Sequence, residues 1–395
     1  MTTPTLPFER TRVLQPPPQA MDLQRQGPIH RVTTRVGDPA WLVTRYQEVR
    51  ELLGDDRLGR SHPDPDNASR VNDSALFGNG PRGDFEAEPE EAVLLRRRLQ
   101  PLFSAKHMRR MQSRVEGLVS GLMDDLAARK PPVDLHQALA LPLPVLVICE
   151  LLGVPYEDRD DFHAWSQEAG IVNNSQRSAE GLQKLTQYIY QLVMQKRANP
   201  GEDVLSALAN SPDEKLDDGE VTRLGAGLLF AGHETTVTRI GFGTVLLLSN
   251  RDQWQAMLDD PELLNTAVEE IVRAPASGSG GLFRYAREDL EVSGASIKKG
   301  DLVILDISTA NHDPRAFDDP DGFDVARTGN THVGFGHGMH YCIGAPLARI
   351  ELRSVFSQLI PRFPSMRLAV GVEELEWHDD QLTGGIKALP VTWDT

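Results

Sequence analysis

The sequence predicts a mainly α-helical fold with small β-sheets at its edges. Three observations carry this. A long apolar run with helical spacing covers residues 219–250. From Leu94 to about Leu208 the pattern is mostly helical, punctuated by Pro131-Pro132, Gly153-Val154-Pro155 and Asn199-Pro200-Gly201. The strand-like runs are short and scattered, as expected of small peripheral sheets.

Taken in order, residues 1–27 are Pro-rich and read as an irregular lead-in. Ile29 to Val43 alternates around a Gly37-Asp38-Pro39 turn, which predicts a hairpin. Tyr46 to Leu53 reads as a helix ended by Gly54. Residues 61–92 are polar and loop-like, with Gly78, Gly80, Pro81 and Gly83, and their acidic run Glu86-Ala87-Glu88-Pro89-Glu90-Glu91 reads as a solvated face. After the long helix comes a second over 262–273. Strand-like runs follow at Leu290-Glu291-Val292, Leu302-Val303-Ile304-Leu305, Arg367-Leu368-Ala369-Val370 and Pro390-Val391-Thr392-Trp393.

The chain has 395 residues, 40% of them hydrophobic, enough for a core that encloses a cofactor. A net charge of −16 argues against general nucleic-acid binding. Only two cysteines, Cys149 and Cys342, make a disulfide framework unexpected and fit a reducing cytoplasm. Met1 to Pro18 has no apolar segment of the secretory kind. The apolar stretch Ala138 to Val154 is interrupted by Pro142, Pro144 and Glu150 and is too short to span a bilayer.

Cys342 is set apart by its surroundings, Phe335-Gly336-His337-Gly338-Met339-His340-Tyr341-Cys342-Ile343-Gly344-Ala345-Pro346-Leu347-Ala348-Arg349. Glycines let a flat body approach the backbone closely. Helical spacing resumes after the cysteine, so its sulfur sits at a helix start, where unpaired N–H groups favour a thiolate. A thiolate is a soft metal ligand. The segment resembles the haem-binding loop of the cytochrome P450 family, Phe-Gly-x-Gly-x-His-x-Cys-x-Gly followed by Leu-Ala-Arg, at every fixed position. The resemblance implies the cytochrome P450 fold, a triangular helical body enclosing haem b (iron protoporphyrin IX), and takes up residues 1–395 as a single domain. It makes Cys342 the axial ligand of the iron, with Gly336 and Gly344 in the loop. Phe335 would limit water at the thiolate.

The long helix holds Ala231-Gly232-His233-Glu234-Thr235-Thr236, a glycine and four polar residues inside an apolar run. Buried polar groups need partners, so this predicts a local opening of the helix at a functional site. A His-Glu start invites a zinc-protease reading, which fails because position 237 is Val237. The run resembles the family's oxygen-activating helix. The resemblance implies that Thr235 positions oxygen and its water, that Glu234 belongs to a proton relay, and that Ala231 and Gly232 keep the haem face clear.

By the same resemblance Glu270, Arg273 and Arg327 form a structural salt-bridge network beneath the Cys loop. Arg96, Arg284 and His340 match positions that hold the haem propionates. One position departs from the pattern. Many bacterial relatives place a His four residues before the Arg that corresponds to Arg96, and Ala92 stands there. The resemblance implies a substrate pocket lined by the 62–90 loop, Gly170 to Ser178, Leu228, Leu229 and Ala231, Ser277 to Phe283 (including Gly281, Leu282 and Phe283), and Leu382 to Ile386. The low side-chain bulk of Ser277-Gly278-Ser279-Gly280-Gly281 suggests a roomy pocket for a bulky, mostly apolar molecule.

Between Ala92 and Val115 stand seven basic residues and no acid: Arg96, Arg97, Arg98, Lys106, Arg109, Arg110 and Arg114. Either this is a solvated helix face or it docks an acidic electron donor. The expected protein is a cytoplasmic monomer, a haem-thiolate monooxygenase using O2. Its electrons would come from NAD(P)H through ferredoxin reductase and ferredoxin, and it would hydroxylate or epoxidise a secondary metabolite of the polyketide or macrolide kind. Two rivals stand beside that reading: a peroxide-driven haem-thiolate enzyme, and a non-catalytic relative that binds haem or a carrier protein.

Overall fold

The computed structural model describes residues 3–12, 14–77, 79–211, 216–276 and 281–394. Its α-helices, in chain order, are α1 Pro18–Gln26, α2 Tyr46–Leu53, α3 Glu88–Leu99, α4 Ala105–Ala127, α5 Pro142–Leu152, α6 Arg159–Ala169 and α7 Ser175–Ala198. These are followed by α8 Val204–Ala209, α9 Asp218–Ser249, α10 Arg251–Asp259, α11 Leu264–Arg273, α12 Ile307–Ala310 and α13 Ala345–Arg362. The strands are β1 Ile29–Thr33, β2 Pro39–Val43, β3 Leu58–Gly59, β4 Val133–Asp134, β5 Leu282–Ala286, β6 Leu290–Val292, β7 Ala295–Ile297, β8 Leu302–Leu305, β9 Arg367–Leu368 and β10 Pro390–Thr392. The predicted class, mainly helical with small sheets, is the one observed.

Helix α9 runs through the centre. A capping box starts it: the Asp217 carboxylate accepts from the Glu220 N–H, and the Glu220 carboxylate accepts from the Asp217 N–H. Helices α5, α7, α11 and α13 pack on it, and one large apolar core joins them. No break occurs at Gly232, contrary to the expected opening. The threonines instead cap carbonyls one turn back, Thr235 Oγ1 to Ala231 O at 2.9 Å and Thr238 Oγ1 to Glu234 O at 3.1 Å, so the ladder satisfies them without opening. A Cβ on Gly232 would stand 2.4 Å from Ile148 Cδ1. Gly232 therefore lets α5 approach α9, whereas it had been expected to keep a cofactor face clear.

The larger sheet has the order β1-β2-β8-β5-β3. The predicted hairpin forms, and β2 then pairs in parallel with β8, Val43 opposite Leu305. The lead-in is not irregular throughout: α1 buries Ala20 and Leu23 against this sheet, and the Gln24 amide donates to the carbonyls of Thr44 and Thr309 at 2.8 Å each. Helix α3 starts at Glu88, inside the segment read as loop. The predicted helix over 262–273 begins as a short 3-10 turn at Pro261–Leu263. Of the predicted strand Arg367–Val370, only Arg367–Leu368 pairs. No helix among the described residues is long and apolar enough to cross a membrane.

Candidate active site

The Cys loop lies between the 3-10 turn Gly338–His340 and helix α13. The Cys342 N–H donates to the Phe335 carbonyl at 2.8 Å, closing the loop on itself. Gly338 has φ +68°, and a Cβ there would come within 2.7 Å of the Gly54 backbone, so the loop seats on the end of α2 only with glycine. A Cβ on Gly336 would meet only the His340 carbonyl, at 3.7 Å, which leaves that face free for a flat group. Burial pushes the Cys342 thiol up. The N–H groups of Gly344 and Ala345 and the charges of Arg349 and Arg96 oppose this but do not win, which corrects the expectation that the helix start alone secures a thiolate. An ionised sulfur here needs a cation in front of it, and Cys342 keeps one side open to receive it although the surrounding chain desolvates the thiol.

Two charge networks hold the loop from behind. Glu270 and Arg273 are fully buried and paired through two 2.7 Å bonds. Arg327 Nε reaches both Glu270 oxygens at 3.2 Å, and Asn330 adds a donor at 3.0 Å. The guanidinium of Arg273 also serves the carbonyls of Asn311, Pro320 and Gly322. The three predicted residues are thus one connected unit. Sequence reasoning missed the neighbouring one. Glu269 accepts from Arg349 at 2.6 and 2.8 Å and sits 3.1 Å from His332 Nε2. Arg349 in turn lies over the Phe335 ring, 4.5 Å from its centroid, and reaches the Tyr341 hydroxyl at 3.2 Å. Burial pushes Glu269 up, but Arg349 and His332 outweigh it and hold the carboxyl at about 2.

A cationic cluster gathers on the other side of the loop. Arg96 on α3 donates to the carbonyls of Tyr341 at 2.7 Å and Met339 at 3.2 Å. Arg284 on β5 is buried, and burial followed by the charge of Arg60 lowers it to about 10. Burial, then Arg60 and Arg284, hold His340 at about 4. Arg60, which the sequence did not single out, therefore belongs to the set. The carboxylate in their field is Glu88, which is already engaged: it accepts from the N–H groups of Arg60 and Ser61, the Ser61 hydroxyl and Arg287 Nη1. Glu88 is for that reason not part of a solvated acidic face. The cluster sets three arginines, Arg284 buried and Arg60 and Arg96 half-buried, against one carboxylate that is already engaged, and that suits a dianionic ligand.

Helix α9 supplies the third wall. From Gly225 to Leu248 it is buried almost everywhere, yet Gly227, Ala231 and Thr235 are exposed. They stand four residues apart, so they form one open stripe on a single face. A Cβ on Gly227 would meet nothing within 4 Å. Leu228 flanks the stripe and is partly buried, whereas Leu229 is fully buried in the core and cannot line the pocket. Strand alternation corrects a second pocket expectation. Arg284 and the 40% exposed Leu282 share one face of β5, and Phe283 turns the other way to pack on Tyr285. Gly281 has φ +95° and abuts the Leu305 carbonyl. Leu382 packs with Leu76, Ala169 and Phe230 in a small apolar cluster. Ser277 to Gly280 lie outside the described residues. A groove of about 670 Å³ between α7 and the start of α9, lined by Ala75, Leu182, Tyr190 and Thr222 among others, is separate from the Cys loop.

Glu234 does not hydrogen-bond Thr235. Its carboxylate turns toward α6, 3.1 Å from His233 Nε2 and 3.6 Å from His163 Nδ1. Burial pushes it up, but His233, then His163 and His136, bring it below the usual carboxylate range.

A cysteine loop with an open face, a group of arginines beside it and an open helical stripe bearing a threonine fit a haem-thiolate oxygenase. The family model for cytochrome P450 matches residues 244–369. Pentalenolactone synthase of Streptomyces exfoliatus is 42% identical over 99% of both chains. Mycinamicin IV hydroxylase/epoxidase of Micromonospora griseorubida is 38% identical over 94% of both. The substrate-free structure of PimD, a polyene macrolide antibiotic pimaricin epoxidase, superposes with a TM-score of 0.87 at 39% identity, covering 100% of both chains. The chain belongs to the cytochrome P450 family, and its class is that of monooxygenases using haem, O2 and redox partners.

Proposed function

We propose that the protein inserts one atom of O2 into a bulky, mostly apolar secondary metabolite of the polyketide or macrolide kind, by hydroxylation or epoxidation. The second atom leaves as water, and two electrons and two protons are consumed. The bound haem supplies the oxidising chemistry, and thiolate ligation favours O–O cleavage. The Cys342 sulfur would hold the haem iron, and Arg60, Arg96, Arg284 and His340 would hold the propionates, with Arg60 filling the place left by Ala92. Glu270, Arg273 and Arg327 keep the Cys loop in one arrangement. Thr235 positions oxygen and a water on the open stripe. Glu234 carries protons from the α6 side of α9, and its carboxylate must turn or pass a proton through water to serve Thr235. Electrons come from NAD(P)H through ferredoxin reductase and ferredoxin, which docks on the basic face of α3 and α4.

The observation that carries this reading is the stripe Gly227, Ala231, Thr235, three open positions in the helix that buries the most residues. Support for the substrate class comes from the named activities of the relatives. The test is the absorption spectrum of the reduced, carbon monoxide-bound protein, beside Cys342→Ala. A strongly red-shifted Soret band, lost in the variant, is expected. A conventional haem band in folded wild type would overturn the reading.

A further inference from the structure

Beside the open stripe, α9 carries a second cluster that oxygen insertion does not by itself explain. His163 Nδ1 on α6 and His233 Nε2 and Glu234 Oε1 on α9 lie within 4.8 Å of one another. All three atoms are buried and lack a hydrogen-bond partner. Such orphans are costly, and three converging on one point are unusual. The His233 ring has no exposure at all.

The tautomer of His233 sharpens the case. Its Nδ1 stands 2.7 Å from the Leu229 carbonyl, which can only accept, so Nδ1 carries the proton. In the neutral ring Nε2 then presents a lone pair to the Glu234 oxygen. Two lone pairs at 3.1 Å repel unless a cation lies between them, either a second proton on the ring, which makes an ion pair, or a metal ion. A carbonyl holding the far nitrogen of a ligating histidine is also the usual outer support of a metal site. The spacing agrees. Ligands at about 2.0–2.1 Å from a tetrahedral zinc ion stand roughly 3.3 Å apart, and two of the pairs here measure 3.1 and 3.6 Å. Two histidines and a glutamate form a known zinc donor set that leaves one position for water. A cavity of about 30 Å³ bordered by His136, His163, Glu234 and His378 adjoins the cluster, with room for that water.

We propose that His163, His233 and Glu234 form a binding site for a zinc-class divalent ion where α9 meets α6. The consequence for turnover rests on the reading of Glu234 as the relay acid: a bound ion would hold its carboxylate and stop it carrying protons to the Thr235 side.

Haem-loaded protein is titrated with zinc chloride by calorimetry, and zinc K-edge absorption is read at one equivalent. One ion per chain is expected, with two imidazole nitrogens and a carboxylate oxygen in its shell. His163→Gln, at the rim of the cluster, should weaken binding at least ~10-fold, with its Soret band and melting temperature showing that it folds; Glu234→Gln serves as the second ligand variant. Unchanged zinc affinity in both variants, or a shell without two imidazoles, overturns the site. Zinc should slow wild-type turnover and spare His163→Gln. If zinc binds in this shell and turnover does not change, the site stands and the role of Glu234 in the relay falls.

Discussion

Arg60 and Glu269 are residues whose importance lies wholly in tertiary contact. Arg60 replaces nothing visible in its own segment, yet it shifts both Arg284 and His340. Arg60→Ala should release haem to an apoprotein acceptor about 10-fold faster, the loss of roughly one charged hydrogen bond, while Arg109→Ala should not. Equal release rates would remove Arg60 from the propionate set. Glu269 makes a prediction about acid. Its folded carboxyl sits at about 2 against an ordinary 4.5. The group therefore stabilises the fold fully above about pH 4.5, and this contribution fades as pH falls toward 2. The melting temperature of wild type should drop across that window, and that of Glu269→Gln should start lower and drop less. The motif residues Cys342, Thr235 and Glu270 were legible because their chemistry dictates local spacing. Arg60 and the histidines around Glu234 were not, since His163 and Glu234 meet only after α6 folds onto α9, and no periodicity marks such a pair.

At the scale of elements, α9 shows what a hydrophobic pattern can and cannot disclose. Its length and apolar character were readable. Which face opens was not, because a helix buried nearly all round has no amphipathic stripe to betray its orientation. Leu229 was assigned to the pocket for that reason and lies in the core. Gly232 was read as a gap on the haem side and is instead the point where α5 comes closest. Gly232→Ala should gain up to about 1 kcal/mol of helix propensity and lose about 1–3 kcal/mol to overpacking against Ile148. A net fall in melting temperature follows. Ile148→Val removes the clashing Cδ1, so the double variant should recover most of the loss. Additive losses in the thermal melts would mean that Gly232 matters for some other reason.

For the whole molecule, the charge distribution is the feature to test. The chain is strongly acidic, yet the face formed by α3 and α4 concentrates its arginines. Pairing thins it, since Arg110 meets Glu202 at 3.1 Å and Arg114 meets Glu150 at 3.2 Å. Exposed Arg109 and Lys106 remain on α4. Reduction by ferredoxin should slow several-fold as salt rises from about 0.05 to 0.5 M, where the screening length shrinks to a few Å. Arg109→Glu should slow it at low salt only. A rate indifferent to salt, measured by stopped-flow, would move the docking site elsewhere. The sheet that joins β2 to β8 has its own consequence. Strand β2 leaves the ribosome roughly 260 residues before its parallel partner, a wait of tens of seconds at ordinary synthesis rates. Through that interval a hydrophobic edge that will later support Arg284 stays unclaimed. The pocket beside Arg284 is accordingly among the last parts of the molecule that can close.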